Sequence, residues 1–208
     1  MKVAVIGGTG AMGKALARHL SSKYEVIIGS RDPARAAAAS AGIKGASGSD
    51  YSGASRSADV VIFAIPYEAM NLLADLDSDV SSKTVISVIN PMTTEGGLLK
   101  YAPKGASAAE ELARMLPHGR VATAFNNVPW GFLKEDVVPP VDILVAADSK
   151  ETYEEAAKVV ASIREMHPLY VGPLSEARIV EAITPLVLNL AKLNGMKALT
   201  TRFVSRKG

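Results

Sequence analysis

Three glycines near the amino terminus carry the clearest chemical signal. Gly8, Gly10 and Gly13 stand at G-x-G-x-x-G spacing within Gly7-Gly8-Thr9-Gly10-Ala11-Met12-Gly13. Between a strand and a helix, each has a separate task. Gly8 permits the tight turn, Gly10 admits a pyrophosphate to the backbone, and Gly13 lets the helix approach the strand. The amides around Thr9, Ala11 and Met12 then face an anion, aided by the helix dipole. Further on, the second apolar run ends at Gly29 and is followed by Ser30-Arg31-Asp32-Pro33-Ala34-Arg35. A carboxylate at this point would bind a ribose 2′-hydroxyl and repel a 2′-phosphate. Ser30, Arg31 and Arg35 instead offer a hydroxyl and two guanidinium groups, which form charge-assisted bonds to phosphate. Asp32 reads as the cap of a helix beginning at Pro33. If both arginines were merely solvated, Asp32 would take the acidic role one position late and select NAD. The residues favour NADP.

A doubly wound sheet binds its ligands beyond the carboxyl ends of its strands. That rule selects Ile65-Pro66-Tyr67, Val88-Ile89-Asn90-Pro91 and Asn126-Asn127-Val128-Pro129-Trp130 in addition to the glycine turn and Ser30-Arg31. Proline also ends strands for purely structural reasons, and Tyr67 can simply pack under the following helix. None of these segments holds a histidine, a lysine–tyrosine pair or a carboxylate placed for catalysis. A dehydrogenase acting on an alcohol must move a hydroxyl proton and would need such a group. Hydride transfer between a nicotinamide and a second flat redox ring needs little beyond two carbons held face to face with water excluded. Asn90, Asn126 or Asn127 can bind the polar edge of either ring, and Val128 and Pro129 can form a rigid apolar wall.

The elements that must position these residues alternate as strand and helix through the first two-thirds of the chain. The expected fold is α/β: a Rossmann-type, doubly wound, mostly parallel sheet with a small C-terminal helical extension. Residues 1–140 are expected to form the NADP-binding domain. Residues 141–208 would complete the substrate cleft and offer a dimer contact. Strands are expected at Asp59 to Ile65, Thr84 to Ile89, Arg120 to Phe125 and Val141 to Ala146, with a short edge strand within Gly42 to Ala46. Met92 to Ala106 reads as irregular, Tyr67 to Leu76 as a helix and Asn126 to Pro140 as a loop. Ser107-x-x-Glu110 and Asp148-x-x-Glu151 read as capping boxes. Ser175 is expected to cap a long final helix, kinked at Pro185, whose apolar faces suit burial under its own domain or against a second subunit.

Composition narrows the partners. The 208 residues are 48% hydrophobic and 21% charged, an ordinary balance for a globular chain. A net charge of +2 is too mild to suggest nucleic acid or a membrane surface. Without cysteine, thiolate chemistry and disulfides are excluded, and the three scattered histidines suit no metal site. No apolar run reaches the length of a membrane span, and the first strand starts at once, so a cytoplasmic protein is expected.

Taken together, these residues resemble the NADP oxidoreductases dependent on coenzyme F420, an 8-hydroxy-5-deazaflavin. GGTGAMGKALA with GSRDPAR is similar to the family's cofactor-binding half, and AIPYEA to the segment after the fourth strand. GPLSEARIVEAITPLVLNLAKLNGM is similar to the closing segment. The resemblance implies that Thr9, Ser30, Arg31 and Arg35 hold the 2′-phosphate and that Asn126 to Pro129 helps to form the deazaflavin pocket. It implies reversible hydride transfer between nicotinamide C4 and deazaflavin C5. Close archaeal members carry a histidine–threonine pair where this chain has Asn126-Asn127. Two other readings stand beside this one: an NADPH-dependent flavin or ferric reductase of the same fold, and a non-enzymatic NADP sensor. An enzyme needs an open apolar cleft at the nicotinamide end; a sensor needs a closed one and an apolar patch elsewhere. For the acidic tail of the deazaflavin, Lys134 and the cationic carboxyl terminus are available.

Overall fold

The computed structural model describes residues 1–134 and 138–205; Arg206 and Lys207 of the basic terminus lie outside the described residues. Six parallel strands form the centre: β1 (Lys2–Ile6), β2 (Glu25–Gly29), β3 (Ala46–Ser49), β4 (Val60–Phe63), β5 (Thr84–Ser87) and, further along the chain, β8 (Arg120–Thr123). With β9 (Val141–Ala147) and β10 (Met166–Gly172) they make one sheet in the order β10-β9-β8-β5-β4-β1-β2-β3. The order reverses between β1 and β4, which sets a crevice at the carboxyl ends of these strands. β4 is buried at every position, as a strand covered on both faces must be.

Helices cover both faces. On one side, α1 (Ala11–Leu20) and α6 (Lys150–Ala161) bring Leu16, Leu20, Val159 and Val160 against Val3, Val5 and Ile62. On the other, α3 (Tyr51–Ser57), α4 (Ala108–Met115) and α7 (Ala177–Leu193) bring Ala54, Leu112 and Ala177 against Ala4, Ile6 and Phe63. Neighbouring strand residues point to opposite faces, so each strand feeds both layers. α2 (Pro33–Ser40) follows β2, and the Asp32 side chain caps it by accepting from Ala34 and Arg35 amides, as expected.

One connection matters for the site. β9 runs antiparallel to β8. The segment between them therefore stays at the carboxyl end of β8 instead of crossing the sheet. That holds Asn126 to Trp130, and the short helix α5 (Trp130–Leu133), beside the crevice.

Several local expectations are corrected. Met92 to Ala106 is not irregular throughout: β6 (Met92–Glu95) and β7 (Leu98–Tyr101) form a hairpin. Gly96 and Gly97 both have positive φ, which a two-residue primed turn requires. The edge strand lies at Ala46–Ser49 rather than within Gly42 to Ala46, and Tyr67–Leu76 is a run of 3₁₀ turns. Part of the 126–140 loop is α5. Ser149, not Asp148, caps α6 through the Thr152 amide; Asp148 accepts from the Leu174 amide instead. Ser107 caps α4 as expected. Ser175 lies within a 3₁₀ turn at Leu174–Glu176, and α7 starts without a side-chain cap. Pro185 lies inside α7, as expected.

Candidate active site

The glycine turn is held by its own backbone. The Gly7 amide bonds Gly29 oxygen at 3.0 Å, Gly8 bonds Val5 at 3.1 Å, and Gly10 bonds Gly7 at 2.9 Å. The sharp turn falls at Gly7, with φ +81°, rather than at Gly8. A Cβ on Gly8 would lie 2.8 Å from Val5 oxygen and 2.9 Å from Ile28 Cγ2, so this glycine serves close packing. Gly13 behaves as predicted: a Cβ there would meet Gly7 oxygen at 2.6 Å and push α1 off the strand. Gly10 begins α1 with no side chain capping its amides, which leaves them to a ligand.

A groove of about 500 Å³ runs from this turn across the strand ends. Thr9, Gly10, Ser30, Arg31, Arg35, Ile65 and Pro66 line it, so the structure gathers most of the predicted nucleotide residues. Both arginines are exposed, and Ser30 is buried with its Oγ accepting from the Asp32 amide. Tyr51, which the sequence did not single out, stands in the same groove. Burial pushes its hydroxyl pKa up, with Arg31 pulling the other way.

Tyr67 lies elsewhere. Its hydroxyl donates to the Glu111 carboxylate at 2.7 Å and accepts from the Lys104 amide at 2.6 Å. Burial and Glu111 together hold its pKa up at about 12. The side chain thus ties the 3₁₀ run to α4 and does not border the groove.

Beside the turn lies a second cleft of about 370 Å³, lined by Met12, Val88, Asn90, Phe125, Val128 and Pro129 among others. Ala11 instead borders a separate hollow with Lys14 and Trp130. Phe125 has φ +66°, a strained conformation for a non-glycine residue, at the point where β8 turns into the cleft wall.

The three asparagines are not equivalent. Asn127 is fully buried; its Nδ2 donates to Asp142 oxygen at 2.6 Å and to Thr201 Oγ1 at 2.6 Å, and its Oδ1 accepts from the Leu144 amide. It straps the loop to β9. Asn126 accepts from Thr123 Oγ1 at 2.7 Å and donates to Ile89 oxygen at 3.1 Å and Asn90 Oδ1 at 3.0 Å. Since its two Nδ2 protons go to those two acceptors, Asn90 must present Oδ1 to Asn126. The Asn90 Nδ2 is then left as a donor at the cleft wall.

α7 completes this wall with residues the sequence did not offer as site candidates. Thr184 Oγ1 bonds Asn126 oxygen and lies 3.1 Å from Asn90 Oδ1. Leu188 and Ala191 line the cleft one and two turns later. Asn189 bonds both the amide and the carbonyl of Leu99, at 2.9 and 2.8 Å, which locks the hairpin to α7. The signal available was a few polar residues interrupting an apolar helix. Among the described residues, no group of three metal-ligating side chains comes together, and no helix is long and apolar enough to cross a membrane.

A polar groove and an apolar cleft on either side of the glycine turn, at the reversal of a Rossmann sheet, are the layout of a dinucleotide-dependent oxidoreductase class. Residues 2–91 match the family described as NADP oxidoreductase, coenzyme F420-dependent. The chain is 40% identical over 210 residues to the F420-dependent NADP reductase of Methanothermobacter thermautotrophicus, an alignment spanning 91% of this chain and 89% of that protein. It is also 30% identical over 187 residues to the metalloreductase STEAP3 of Rattus norvegicus, covering 88% of this chain and 36% of that one. Among solved structures, a putative F420-dependent NADP reductase from Arthrobacter sp. FB24 superposes with a TM-score of 0.87 at 20% identity, over 99% of this chain and 100% of that one; this likeness speaks to the fold. The chain belongs to the F420-dependent NADP oxidoreductase family.

Proposed function

We infer that this protein transfers hydride between NADP(H) and the deazaflavin coenzyme F420. The observation that carries the reading is the pair of cavities on either side of the glycine turn: Gly10 borders the polar groove, and Met12 borders the apolar cleft. The chain's relatives named F420-dependent NADP reductases support it.

The donor set fits NADP. Uncapped amides at the start of α1 would hold the pyrophosphate, and Arg31 and Arg35 with Ser30 would hold the 2′-phosphate. Ile65 and Pro66 border the path towards the nicotinamide. The reaction supplied by the bound pair is direct hydride transfer between nicotinamide C4 and deazaflavin C5, with one proton taken from water when the deazaflavin is reduced. For that step the protein orients, and excludes water. Val88, Val128, Pro129 and Leu188 supply apolar surface, while the Asn90 amide is aimed by Asn126 and Thr184. The part of the chain that follows residue 140 finishes the cleft, through α7 and residues 197–198.

We place a dimer contact on α7. Ile179, Ile183, Leu186, Leu190 and Leu193 recur at 4-3-4-3 spacing, the seam of one helix packing on another. Leu186 and Leu193 are 56% and 66% exposed, while the flanking face, with Val180, Thr184 and Val187, is buried.

Mixing the protein with NADPH and oxidised F420 and following the absorbance of each ring tests the reading. A parallel arm with FAD or FMN plus ferric iron tests the activity suggested by the metalloreductase likeness. Reduction of F420 supports the account. Turnover confined to the ferric arm overturns it.

A further inference from the structure

The cleft next to the glycine turn is apolar apart from Asn90, Asn126 and Thr184, with one charged residue on its lining: Lys197. Its position is fixed by how α7 stops. Gly195 takes φ +64°, its amide bonds Lys192 oxygen, and the Met196 amide reaches back to Ala191 oxygen at 2.8 Å. These paired bonds form a Schellman termination, which sets the direction of the chain beyond the helix. The next residue, Lys197, is thereby carried to the rim beside Ala191 and Leu188. Other α7 residues in the region have structural tasks: Lys192 donates to Gly97 oxygen, and Asn194 to Leu190 oxygen. No carboxylate pairs with Lys197 among the described residues.

A lone ammonium on the rim of an apolar slot attracts anions and does little for a neutral ring. We propose that Lys197 binds an anionic oxygen of the ring co-substrate and so favours the ionised hydroxy-deazaflavin with its acidic tail over a neutral tricycle. The inference rests on the function proposed above and adds a specificity residue to it. Two oxygens share the required chemistry. One is the ring hydroxyl, whose conjugation to the pyrimidine carbonyl makes it a vinylogous acid. The other is a phosphate or carboxylate of the tail.

The test is steady-state kinetics at saturating NADPH with the intact protein, comparing wild type, Lys197→Met and Lys197→Arg. Lys44→Met, an exposed lysine remote from the cleft, controls for net charge. The two acceptors are F420 and the same hydroxy-deazaflavin without its acidic tail. Lys197→Met should raise KM for F420 about fivefold to tenfold at low ionic strength, the scale of one charge-assisted contact at a partly screened site. Lys197→Arg should restore most of it, KM for NADPH should stay within about twofold, and added salt should shrink the difference. Loss with both acceptors assigns the contact to the ring oxygen; loss with F420 alone assigns it to the tail. An unchanged KM for both acceptors, or an Arg variant no better than the Met variant, overturns the proposal. Wild-type protein that fails to reduce F420 at all would instead sink the functional reading.

Discussion

Removing the Arg31 guanidinium should convert a cofactor preference into near indifference. Arg31 borders the groove with Ser30 and Arg35, and Asp32, the one nearby carboxylate in the segment, is engaged in capping α2. A charge-assisted hydrogen bond contributes roughly 1.5–3 kcal/mol. Arg31 is exposed, so screening reduces this to about 1–2 kcal/mol. That corresponds to a rise of about fivefold to thirtyfold in KM for NADPH in Arg31→Ala. NADH lacks the 2′-phosphate, so its KM should move by less than about twofold. Adding Arg35→Ala should deepen the NADPH loss further while sparing NADH. Steady-state kinetics with both cofactors decide the matter, with NADPH measured across ionic strength. Equal losses for NADPH and NADH would refute the reasoning, because the arginine would then support the adenosine or the turn and not the phosphate.

Four further outcomes follow. Asn90→Ala should lower turnover about tenfold, the scale of one lost positioning contact, without adding an ionisation to the pH profile; a new ionisation would argue for hidden acid–base work. Asn126→Ala, which removes three hydrogen bonds, two of them buried, should also lower the melting temperature. Glu181 is fully buried, accepting from the Ala108 and Ala109 amides and Tyr101. Burial outweighs those bonds and raises its pKa from 4.5 to about 7. The folded state then binds more protons than the unfolded state across that window, so this group's contribution to stability is full below pH 4.5 and is lost as pH rises towards 7, about 3 kcal/mol in all. Glu181→Gln should flatten this slope in thermal melts; an identical slope in the variant would contradict the assignment. Leu186→Glu should leave a monomer in light scattering if the α7 seam is the dimer contact, and an unchanged mass would place that contact elsewhere.

The sequence made the nucleotide half legible because its signals are local. The glycines act on their own turn, Asp32 caps the helix it precedes, and the apolar runs around Val61 and Ile86 are buried on both faces. The second cleft was less legible because it is assembled from distant parts. Thr184 reaches Asn126 only after the sheet has gained β9 and β10 and the chain has returned along α7. The hairpin was missed although Gly96-Gly97 marks its turn; β7 packs on α7, and neither strand shows clean alternation. Asn127 and Asn90 look alike in a list of strand-end amides. Hydrogen bonding separates them, making one a strap and leaving the other with a donor to offer. Lys197 was hidden for a similar reason: its importance comes from the termination of α7 at Gly195, and not from a motif.

The most direct test follows the hydride itself. NADPH carrying deuterium at the transferred C4 position should deliver the label to C5 of reduced F420, with a primary isotope effect in single turnovers and no loss of label to water. Label appearing in solvent, or F420 left oxidised while NADPH is consumed, would contradict a site built to hold two rings face to face.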